Sequence, residues 1–432
     1  MECSMPDLEQ VRRFLRAACD HQIALDHLEP TYVQAGARGP ARVLYEVPGS
    51  EDGILRVAAR RVTRDRGPEI EAALNARSSA ARRRDGFARA AFYAPDLDLL
   101  FQIFPSDERL PSLPIAVDGC AMRSVLHQLL DNADDAVPLS VRAHVIRYKP
   151  ERKCLLRYDM TWSSGSSGAR PTVVWARLAR RAKFERAADN LRRIHRAAHG
   201  IGFDVPEPFG VNADFGMEFF GPVAGRPLFG LTLSDVFPML CRSTGRALRR
   251  FHMLPVVVDE RFDVEEQLER LAENAAEFVW MLPDDTPRIA GLERELSLRL
   301  RAAGCSTLRL IHRDFHGDNV LVDRDRLALV DFEDCAMGDP ADDVGSNWAQ
   351  LTWHAYRAGS SNEIPSAGRR AFLEGYLGAA DVSAAGHLPT YAALHCFLYA
   401  HQCLRHPRDP RRFEDARFML ATCADVLEHG LR

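Results

Sequence analysis

Three polar side chains in the last third of the chain have the types and spacing needed for a metal and phosphate site. Asp314 and Asn319 precede a short apolar segment at 320–322, and Asp331 follows a second one at 327–330. The two segments predict a β-hairpin with an Asp/Arg turn, which places the polar groups at strand ends. Mg²⁺ takes oxygen ligands and is usually held by one or two carboxylates together with substrate phosphates. The stretch therefore predicts a magnesium and phosphate site, in which the remaining aspartate can orient a substrate hydroxyl.

The order of these groups along the chain is the one used for phosphoryl transfer: His312-x-Asp314-x4-Asn319, then Asp331 across the hairpin. Such a site holds metal ions, aligns a hydroxyl with the γ-phosphate and neutralises developing charge. We assign Asn319 and Asp331 to Mg²⁺ and Asp314 to the acceptor hydroxyl. His312 and His316 are predicted to brace the loop, because their imidazoles can hold backbone carbonyls.

Further motifs follow in a fixed order. The loop itself is His-x-Asp-Phe-His-x-x-Asn at 312–319, and it is followed by Asp-Phe-Glu-Asp at 331–334 and by Gly-Asp-Pro-x-x-Asp at 338–343. This set resembles the aminoglycoside phosphotransferase and choline kinase-like family. The resemblance covers about residues 140–350. Asp343, at the end of the third motif, is predicted to brace the catalytic loop.

The resemblance implies a fold class, which is α+β: a bilobal protein-kinase-like fold with a small β-rich N-lobe and a mostly helical C-lobe. The segment 245–252 resembles the helix that precedes the family's catalytic loop, and 217–227 resembles its inter-lobe hinge. Since the backbone of that hinge receives the adenine, Glu218, Phe219 and Phe220 become nucleotide-binding candidates. The implied co-substrate is ATP or GTP with Mg²⁺.

The N-lobe departs from the kinase pattern at its phosphate-gripping cation. Kinase-like proteins place a lysine on the third strand and pair it with a helix glutamate. Here the strand offers Arg177 at that place, with Lys183 just beyond it as an alternative and Glu185 as the candidate partner. Arginine keeps the charge and can fork onto phosphate, but it is bulkier than lysine and not equivalent to it.

The loop that should cover the phosphates also departs from the pattern, because it is not glycine-rich. Its place is taken by Lys149-Pro-Glu-Arg-Lys153, and Lys183 is the only other lysine of the chain. Two lysines in one turn could reach phosphate as point charges, so Lys149 and Lys153 are binding candidates. A solvated hairpin turn is the alternative interpretation.

The length of 432 residues predicts more than one domain. We predict an N-terminal α+β domain at 1–125, beginning with a helix over 1–30, then the N-lobe at 126–224. A helical C-lobe with the catalytic loop occupies 225–432. The first domain is a candidate degenerate copy of the N-lobe, since its hairpin–helix–strand pattern recurs about 110–120 residues later. Chance similarity between two such units is the alternative.

The composition of the chain limits the binding partners and the cellular compartment that we expect. The net charge of −4 gives no reason to expect nucleic acid or an anionic membrane as partner. The ten cysteines have no zinc-like or CxxC spacing, which predicts free thiols in a reducing compartment. The N-terminus lacks the pattern of a signal peptide, and no segment approaches the length of a membrane span. We therefore expect a cytoplasmic protein.

These observations predict a kinase that moves the γ-phosphate of ATP or GTP to a hydroxyl of a small molecule, such as an aminoglycoside, an amino-alcohol or a sugar-like compound. A pseudokinase or nucleotide-binding module is the alternative, favoured by Arg177 and by the missing glycine-rich loop. A protein substrate is disfavoured, because the stretch after Asp331 continues directly into Gly-Asp-Pro without a long activation segment.

Overall fold

The computed structural model divides the chain into two compact units. The first unit comprises Met1–Glu185, Phe209–Phe220 and Arg405–Pro410, and the second comprises Arg186–Pro208, Gly221–Leu404 and Arg411–Arg432. The residues that the structure describes are 7–19, 25–36, 39–48, 54–77, 87–130, 137–162, 170–303, 308–359, 361–378 and 386–431.

The first unit begins with helix α1 (Leu8–Ala18), which Asp7 caps by accepting a hydrogen bond from the Glu9 amide. Five strands then form an antiparallel sheet in the order β1-β2-β3-β5-β4. They are β1 (Glu29–Gly36), β2 (Gly39–Pro48), β3 (Ile54–Arg61), β4 (Ala91–Ala94) and β5 (Leu99–Ile103). Helix α2 (Gly67–Arg77) follows the third strand and packs Ile70 and Leu74 against the sheet. We call this the first sheet.

The short helix α3 (Leu113–Ala116) and α4 (Gly119–Leu129) lead into a second five-stranded sheet, ordered β6-β7-β8-β10-β9. Its strands are β6 (Ser140–Lys149), β7 (Lys153–Thr161), β8 (Val173–Ala179), β9 (Pro208–Asn212) and β10 (Met217–Phe220), with helix α5 (Arg181–Ala197) after β8. We call it the second sheet. The two sheets have the same strand order, and in each a helix follows the third strand.

Residue alternation along β7 explains the core of the second sheet. Buried and partly exposed side chains alternate along β7, as expected when successive side chains point to opposite faces. The inward side chains include Cys154, Leu156 and Tyr158, which pack with Met122 and Leu126 of α4. The predicted domain boundary at residue 125 thus falls in a helix that packs on the second sheet, and the division into domains stays a prediction.

The second unit is mostly helical. Its helices are α6 (Phe237–His252), α7 (Val264–Met281), α8 (Thr286–Ala303), α9 (Ala341–Ala358), α10 (Ile364–Leu377), α11 (Leu388–Leu404) and α12 (Arg412–His429). Its strands are β11 (Arg226–Pro227), β12 (Arg261–Phe262), β13 (Arg309–Ile311), β14 (Val320–Asp323), β15 (Arg326–Leu329) and β16 (Ala336–Gly338). Strands β14 and β15 form the hairpin predicted from the sequence. Together with β11 they make one three-stranded sheet, and β12, β16 and β13 make another.

Close helix packing holds the second unit together. A side chain at Gly245 of α6 would collide with the Phe372 carbonyl of α10, and one at Gly375 would collide with the Arg242 carbonyl. These two glycines therefore let the helix backbones approach each other. Helices α7, α8, α9, α11 and α12 bury a separate apolar cluster that includes Leu271.

The secondary structure confirms most of the predicted elements and corrects one. The helix predicted over 1–30 is wrong beyond α1, because Leu25–His27 is a 3-10 turn and Glu29–Gly36 is a strand. Pro30 lacks an amide donor and disfavours helical backbone at the residue before it, which favours extended structure here.

Two further predictions concern the cysteines, expected as free thiols, and membrane-spanning segments, of which none was expected. Eight cysteines are free, and all but Cys19 and Cys120 of these are buried. Cys3 and Cys305 lie outside the described residues. Across the described ranges, no helix combines the length and the apolarity that crossing a bilayer requires.

Candidate active site

The loop at 312–319, which we call the catalytic loop, connects β13 to β14 and ends in a 3-10 turn at Gly317–Asn319. Asp314 lies in the middle of the loop with 52% of its side chain exposed. The His312 side chain is buried, and its Nε2 lies 2.9 Å from the carbonyl oxygen of Val330. His312 therefore ties the loop to the end of β15, as predicted, while the Asp314 carboxylate faces an accessible region.

Asn319 and Asp331 lie at the base of the β14–β15 hairpin. The Val330 amide donates to the Asn319 carbonyl at 3.1 Å, which joins the two ends of the hairpin. The Asn319 side chain donates through Nδ2 to the carbonyl oxygen of Asp314 at 2.9 Å. This bond fixes the orientation of the amide, so that its oxygen Oδ1 is the atom left to meet a cation. The structure thus brings Asp314, Asn319 and Asp331 together, as the sequence predicted.

His316 reports the charge of this loop. Its Nε2 lies 3.7 Å from Asp314 Oδ1, and its Nδ1 accepts a hydrogen bond from the Asp318 amide at 3.2 Å. Burial lowers the pKa of His316, but the hydrogen bond and charge of Asp314, with the charges of Asp318 and Asp331, outweigh it and raise the pKa overall. Three carboxylates therefore act on one imidazole.

A buried carboxylate braces the loop from behind. Asp343, in the first turn of α9, accepts hydrogen bonds from the His312 amide at 2.6 Å and from the Arg313 amide at 2.8 Å. Its Oδ2 also lies 2.9 Å from His252 Nε2. Burial raises the pKa of Asp343, but the bonds to His252 and to the His312 amide bring it below its usual value. The bracing role predicted for Asp343 is confirmed.

Metal binding is compatible with the oxygen donors at the hairpin base. No group of three or more His, Cys, Asp or Glu side chains suited to a metal occurs among the described residues. Asn319 offers an amide oxygen and Asp331 a carboxylate, which are ligand types that Mg²⁺ takes together with substrate phosphates, and their assignment to Mg²⁺ stays a prediction. Asp331 adopts a left-handed backbone, with φ of 69°. That conformation is uncommon outside glycine but several-fold enriched for aspartate.

The first unit contains the predicted phosphate-binding cation. Arg177 on β8 lies opposite Glu218 on β10 in the sheet register. Arg177 Nη1 donates to Glu218 Oε1 at 2.6 Å, and the two side chains are only 8% and 2% exposed. The Arg177 guanidinium also lies 5.8 Å from the ring centroid of Phe220. Sequence reasoning named all three residues but not the ion pair, because the register of non-adjacent strands is not visible in the chain order. Glu185, the predicted partner, is exposed near the start of α5.

The hinge candidates lie within the second sheet. Strand β10 pairs with β8 along Met217–Phe220 and lies between β8 and β9. The Phe219 side chain is buried in the core of that sheet. The adenine-binding role assigned to the backbone of Glu218, Phe219 and Phe220 stays a prediction.

Lys149 and Lys153 face each other across the β6–β7 turn, where they form the last pair of the ladder. Both side chains are half-buried. We call residues 149–153 the lysine turn. Two lysines at one hairpin tip give the turn a local positive charge that can meet phosphate.

A cavity of about 600 Å³ in the second unit adds residues that sequence reasoning missed. Its lining includes Phe229, whose ring lies against Gly317 of the catalytic loop. The same ring is 4.1 Å from the ring of His354, centroid to centroid. Burial, together with the charges of Arg357 and His316, lowers the pKa of His354 to about 4. His354 is therefore neutral at physiological pH. No motif in the sequence marks this cavity.

An α+β chain with an antiparallel five-stranded sheet, a helical unit and an His-x-Asp-x4-Asn loop at a hairpin is a kinase-like phosphotransferase in class. The model of the phosphotransferase enzyme family (APH) matches residues 161–394, more than half of the 432 residues, and the chain belongs to this family. The family membership confirms the predicted resemblance and fold class.

Solved structures similar to this chain have low sequence identity. A choline/ethanolamine kinase family protein from Mesorhizobium loti is 18% identical, with 71% of this chain and 95% of that chain covered and a TM-score of 0.44. A thermostable mutant of aminoglycoside phosphotransferase APH(4)-Ia, in a ternary complex with AMP-PNP and hygromycin B, is 15% identical, with 71% and 99% covered and a TM-score of 0.46. Amicoumacin kinase hAmiN, in complex with AMP-PNP, Ca²⁺ and Ami, is 17% identical, with 66% and 88% covered and a TM-score of 0.46. No curated protein matches the chain.

Proposed function

We propose that this protein transfers the γ-phosphate of ATP or GTP, with Mg²⁺, to a hydroxyl group of a small molecule. One observation carries the proposal: the hairpin base gathers Asp314, Asn319 and Asp331 around His316. This group matches the site that phosphoryl transfer needs, with a hydroxyl-orienting carboxylate beside oxygen ligands for a metal ion. Membership of the phosphotransferase family supports it.

Asp314 is the residue proposed to orient the acceptor hydroxyl and to take its proton. Its exposed carboxylate can reach a bound hydroxyl, whereas its backbone carbonyl is held by Asn319. Its Oδ1 lies 3.7 Å from His316 Nε2, on the same side of the loop as the metal-ligand candidates. Because the transition state of phosphoryl transfer involves little covalent chemistry for the protein, positioning of the hydroxyl supplies most of the effect.

Asn319 and Asp331 are proposed to hold the metal ion. When bound, Mg²⁺ neutralises the charge of the β- and γ-phosphate oxygens. The protein contributes an amide oxygen whose orientation the Nδ2 bond to Asp314 fixes, and a carboxylate at the end of β15. The Asp343 carboxylate holds the start of the same loop through the His312 and Arg313 amides.

The nucleotide phosphates are proposed to be met by Arg177, Lys149 and Lys153. Arg177 is oriented by its bond to Glu218, as a kinase lysine is oriented by a glutamate. The lysine turn supplies point charges in place of a glycine-rich loop. The backbone of residues 218–220 is proposed as the adenine contact, on the resemblance of this segment to a kinase hinge.

The cavity beside Phe229 is proposed as the acceptor pocket, because its lining touches the catalytic loop at Gly317. The described residues that line it include no carboxylate and one cation, Arg357. That cation is itself paired with Asp415, to which Arg357 Nε donates at 2.8 Å. A lining of this kind favours a neutral hydroxyl compound, such as a sugar-like molecule, over a polycationic aminoglycoside.

Substituting Asp314→Asn tests the function directly. We expect transfer to fall by about a hundredfold to ten-thousandfold, with the Mg²⁺-dependent thermal shift by ATP or GTP preserved. The matched control is Asp318→Asn, the same change at an exposed position of the same loop, which should keep near wild-type turnover. Nucleoside diphosphate release in the presence of the acceptor measures both variants. Wild-type turnover by Asp314→Asn would refute the role.

A panel of acceptors tests the pocket. Neutral polyols and sugars, amino-alcohols and aminoglycosides are compared for acceptor-dependent release of ADP or GDP by the wild-type protein. We expect neutral compounds to give the highest kcat/KM, and Phe229→Ala to raise the acceptor KM while leaving the nucleotide KM within about twofold. Preference for aminoglycosides, or an unchanged acceptor KM in Phe229→Ala, would contradict the assignment.

A nucleotide-binding module without turnover is the second candidate. It is favoured by Arg177, whose guanidinium is already bonded to Glu218 and is nearly buried. Thermal shifts with ATP or GTP, measured with and without Mg²⁺, separate the two functions. A metal-dependent shift together with acceptor-dependent diphosphate release supports the kinase, and a shift without any turnover supports the binding module.

A further inference from the structure

The lysine turn contains a buried carboxylate, which is unusual for a hairpin tip. The Glu151 side chain is 0% exposed. It accepts a hydrogen bond from Arg42 Nε at 2.9 Å and another from Gln102 Nε2 at 3.0 Å. Arg60 Nε pairs with Glu151 Oε1 at 2.6 Å, and Arg109 Nε lies 3.7 Å from Oε2. Arg42, Arg60 and Gln102 belong to strands of the first sheet, more than 40 residues before the turn in the chain.

The backbone of the turn is held as firmly as the side chain. Glu151 has a left-handed backbone, with φ of 58°, a conformation that non-glycine residues adopt only when their surroundings impose it. Its amide donates to Asp107 Oδ2 at 2.7 Å, and the Tyr148 hydroxyl donates to the same oxygen at 2.8 Å. Asp107 in turn accepts from the Leu110 amide. The loop after β5 thus fixes the backbone while the strands fix the carboxylate.

These contacts have a consequence for phosphate binding. A glycine-rich phosphate loop is mobile and must be ordered when nucleotide binds, and ordering each residue costs conformational entropy. The lysine turn is already ordered by Glu151 and Asp107, so Lys149 and Lys153 are presented without that loss. Burying the Glu151 carboxylate is unfavourable unless charges and hydrogen-bond donors compensate it, and Arg42, Arg60 and Gln102 supply that compensation.

We propose that Glu151 is a positioning residue, through which the first sheet holds the lysine turn ready to receive the nucleotide phosphates. The inference rests on the proposed kinase function, in which Lys149 and Lys153 meet those phosphates. Glu151 does not touch the nucleotide in this scheme. Its carboxylate attaches the turn to Arg42, Arg60 and Gln102, and its effect is transmitted through the backbone on either side.

Substituting Glu151→Gln removes the charge and keeps the size of the side chain. We expect the KM for ATP or GTP to rise about tenfold, because the turn must then be ordered on binding. The kcat and the acceptor KM should stay within about threefold. Glu71→Gln is the matched control: Glu71 is a partly buried partner of Arg89 in the same N-terminal region, outside the turn. It should leave the nucleotide KM unchanged.

A second measurement covers the case in which Glu151→Gln folds poorly. Glu151→Asp keeps the charge but shortens the side chain, and it should raise the nucleotide KM less than Glu151→Gln does. Hydrogen exchange of the amides of Lys149 and of residues 151–153, measured on the full chain without nucleotide, should be slow in the wild type and faster in both variants. Slow exchange in the variants would overturn the proposal whatever the kinetics.

The outcomes separate this proposal from the function on which it rests. A folded Glu151→Gln variant with a wild-type nucleotide KM overturns the positioning role while leaving the kinase intact. An equal rise in both KM values with a large loss of kcat indicates general damage and also overturns it. If the wild-type protein shows no Mg²⁺-dependent binding of ATP or GTP, the proposed function fails and the positioning role fails with it. A selective rise in the nucleotide KM supports both.

Discussion

The two five-stranded sheets of the first unit share one strand order but use their buried polar groups differently. In the second sheet, Arg177 lies opposite Glu218 and the two form an ion pair within the sheet. In the first sheet, the register places Ala58 opposite Gln102, so no cation occupies that pair. Gln102 instead donates to Glu151. The same strand order therefore contains an ion pair between two of its own strands in the second sheet. In the first sheet it contains a glutamine that binds a carboxylate of the lysine turn.

This comparison shows that topology alone does not assign function, because the chemistry is set by which buried position carries a charge. Matching strand order supports the predicted duplication of the N-lobe, which stays a prediction. Two arginines of the first sheet, Arg42 and Arg60, instead pair with the carboxylate of Glu151.

Removing Arg177 should produce the largest effect on stability. Arg177→Ala leaves Glu218 buried without its cation, and breaking a buried pair from one side costs about 3–5 kcal/mol. Urea denaturation should show the loss as a lower midpoint with an unchanged slope. Arg177→Lys, which keeps a positive charge, should recover most of the stability.

The matched control for that prediction lies in the turns that follow β3 and precede β5. Arg64 pairs with Asp98 at 3.1 Å, with both side chains largely exposed. Arg64→Ala should leave the urea midpoint unchanged, because exposed ion pairs contribute little. Equal effects of the two arginine substitutions would show that burial does not distinguish the two pairs.

A smaller effect is expected when the first sheet is made to resemble the second. Gln102→Glu introduces the residue type found at Glu218 but leaves Ala58 opposite it. The variant loses the hydrogen bond to Glu151, and a bond to a charged group contributes about 1.5–3 kcal/mol. It also places two carboxylates in contact, which raises the pKa of one of them.

The Gln102→Glu prediction carries a pH dependence with a definite sign. A carboxyl whose folded-state pKa is raised destabilises the fold as the pH rises above the unfolded value of about 4, and the loss is complete above the raised pKa and absent below the unfolded one. The urea midpoint should therefore be lower than wild type at pH 7 and approach it near pH 4. Gln34→Glu is the control with the opposite sign, because Gln34 accepts a bond from Arg42. A lower urea midpoint for Gln34→Glu than for the wild type at pH 7 would contradict the assumption that Arg42 compensates a second carboxylate.

Strands and helices with strong apolar periodicity could be predicted from the sequence, and weak or edge strands could not. The β14–β15 hairpin was predicted from its two short apolar segments. β1, which the helix predicted over 1–30 overlaps, lies at the edge of its sheet, and so do β4 and β9. β1 and β9 contain proline and glycine, which edges tolerate but which dilute the alternating pattern.

In the candidate site, too, residues placed by local structure could be predicted from the sequence, and pairs between distant residues could not. Asp314, Asn319 and Asp331 were predicted to lie together because local hairpin chemistry decides their placement over 18 residues of chain. Asp343 was assigned to the loop by its motif. Glu218 was assigned to the hinge and Glu151 to no role, since their partners lie 41 and 109 residues away in the chain.

The amino-acid sequence by itself determined the class of protein and the identity of the catalytic loop, because a hairpin with polar ends depends on short-range periodicity and turn chemistry. Tertiary structure alone decided which cation and carboxylate pair across non-adjacent strands. It also decided that the first sheet holds the lysine turn. The physical reason is that a buried charge is stable only where a partner meets it, and the partner is selected by sheet register and packing, which local sequence does not encode.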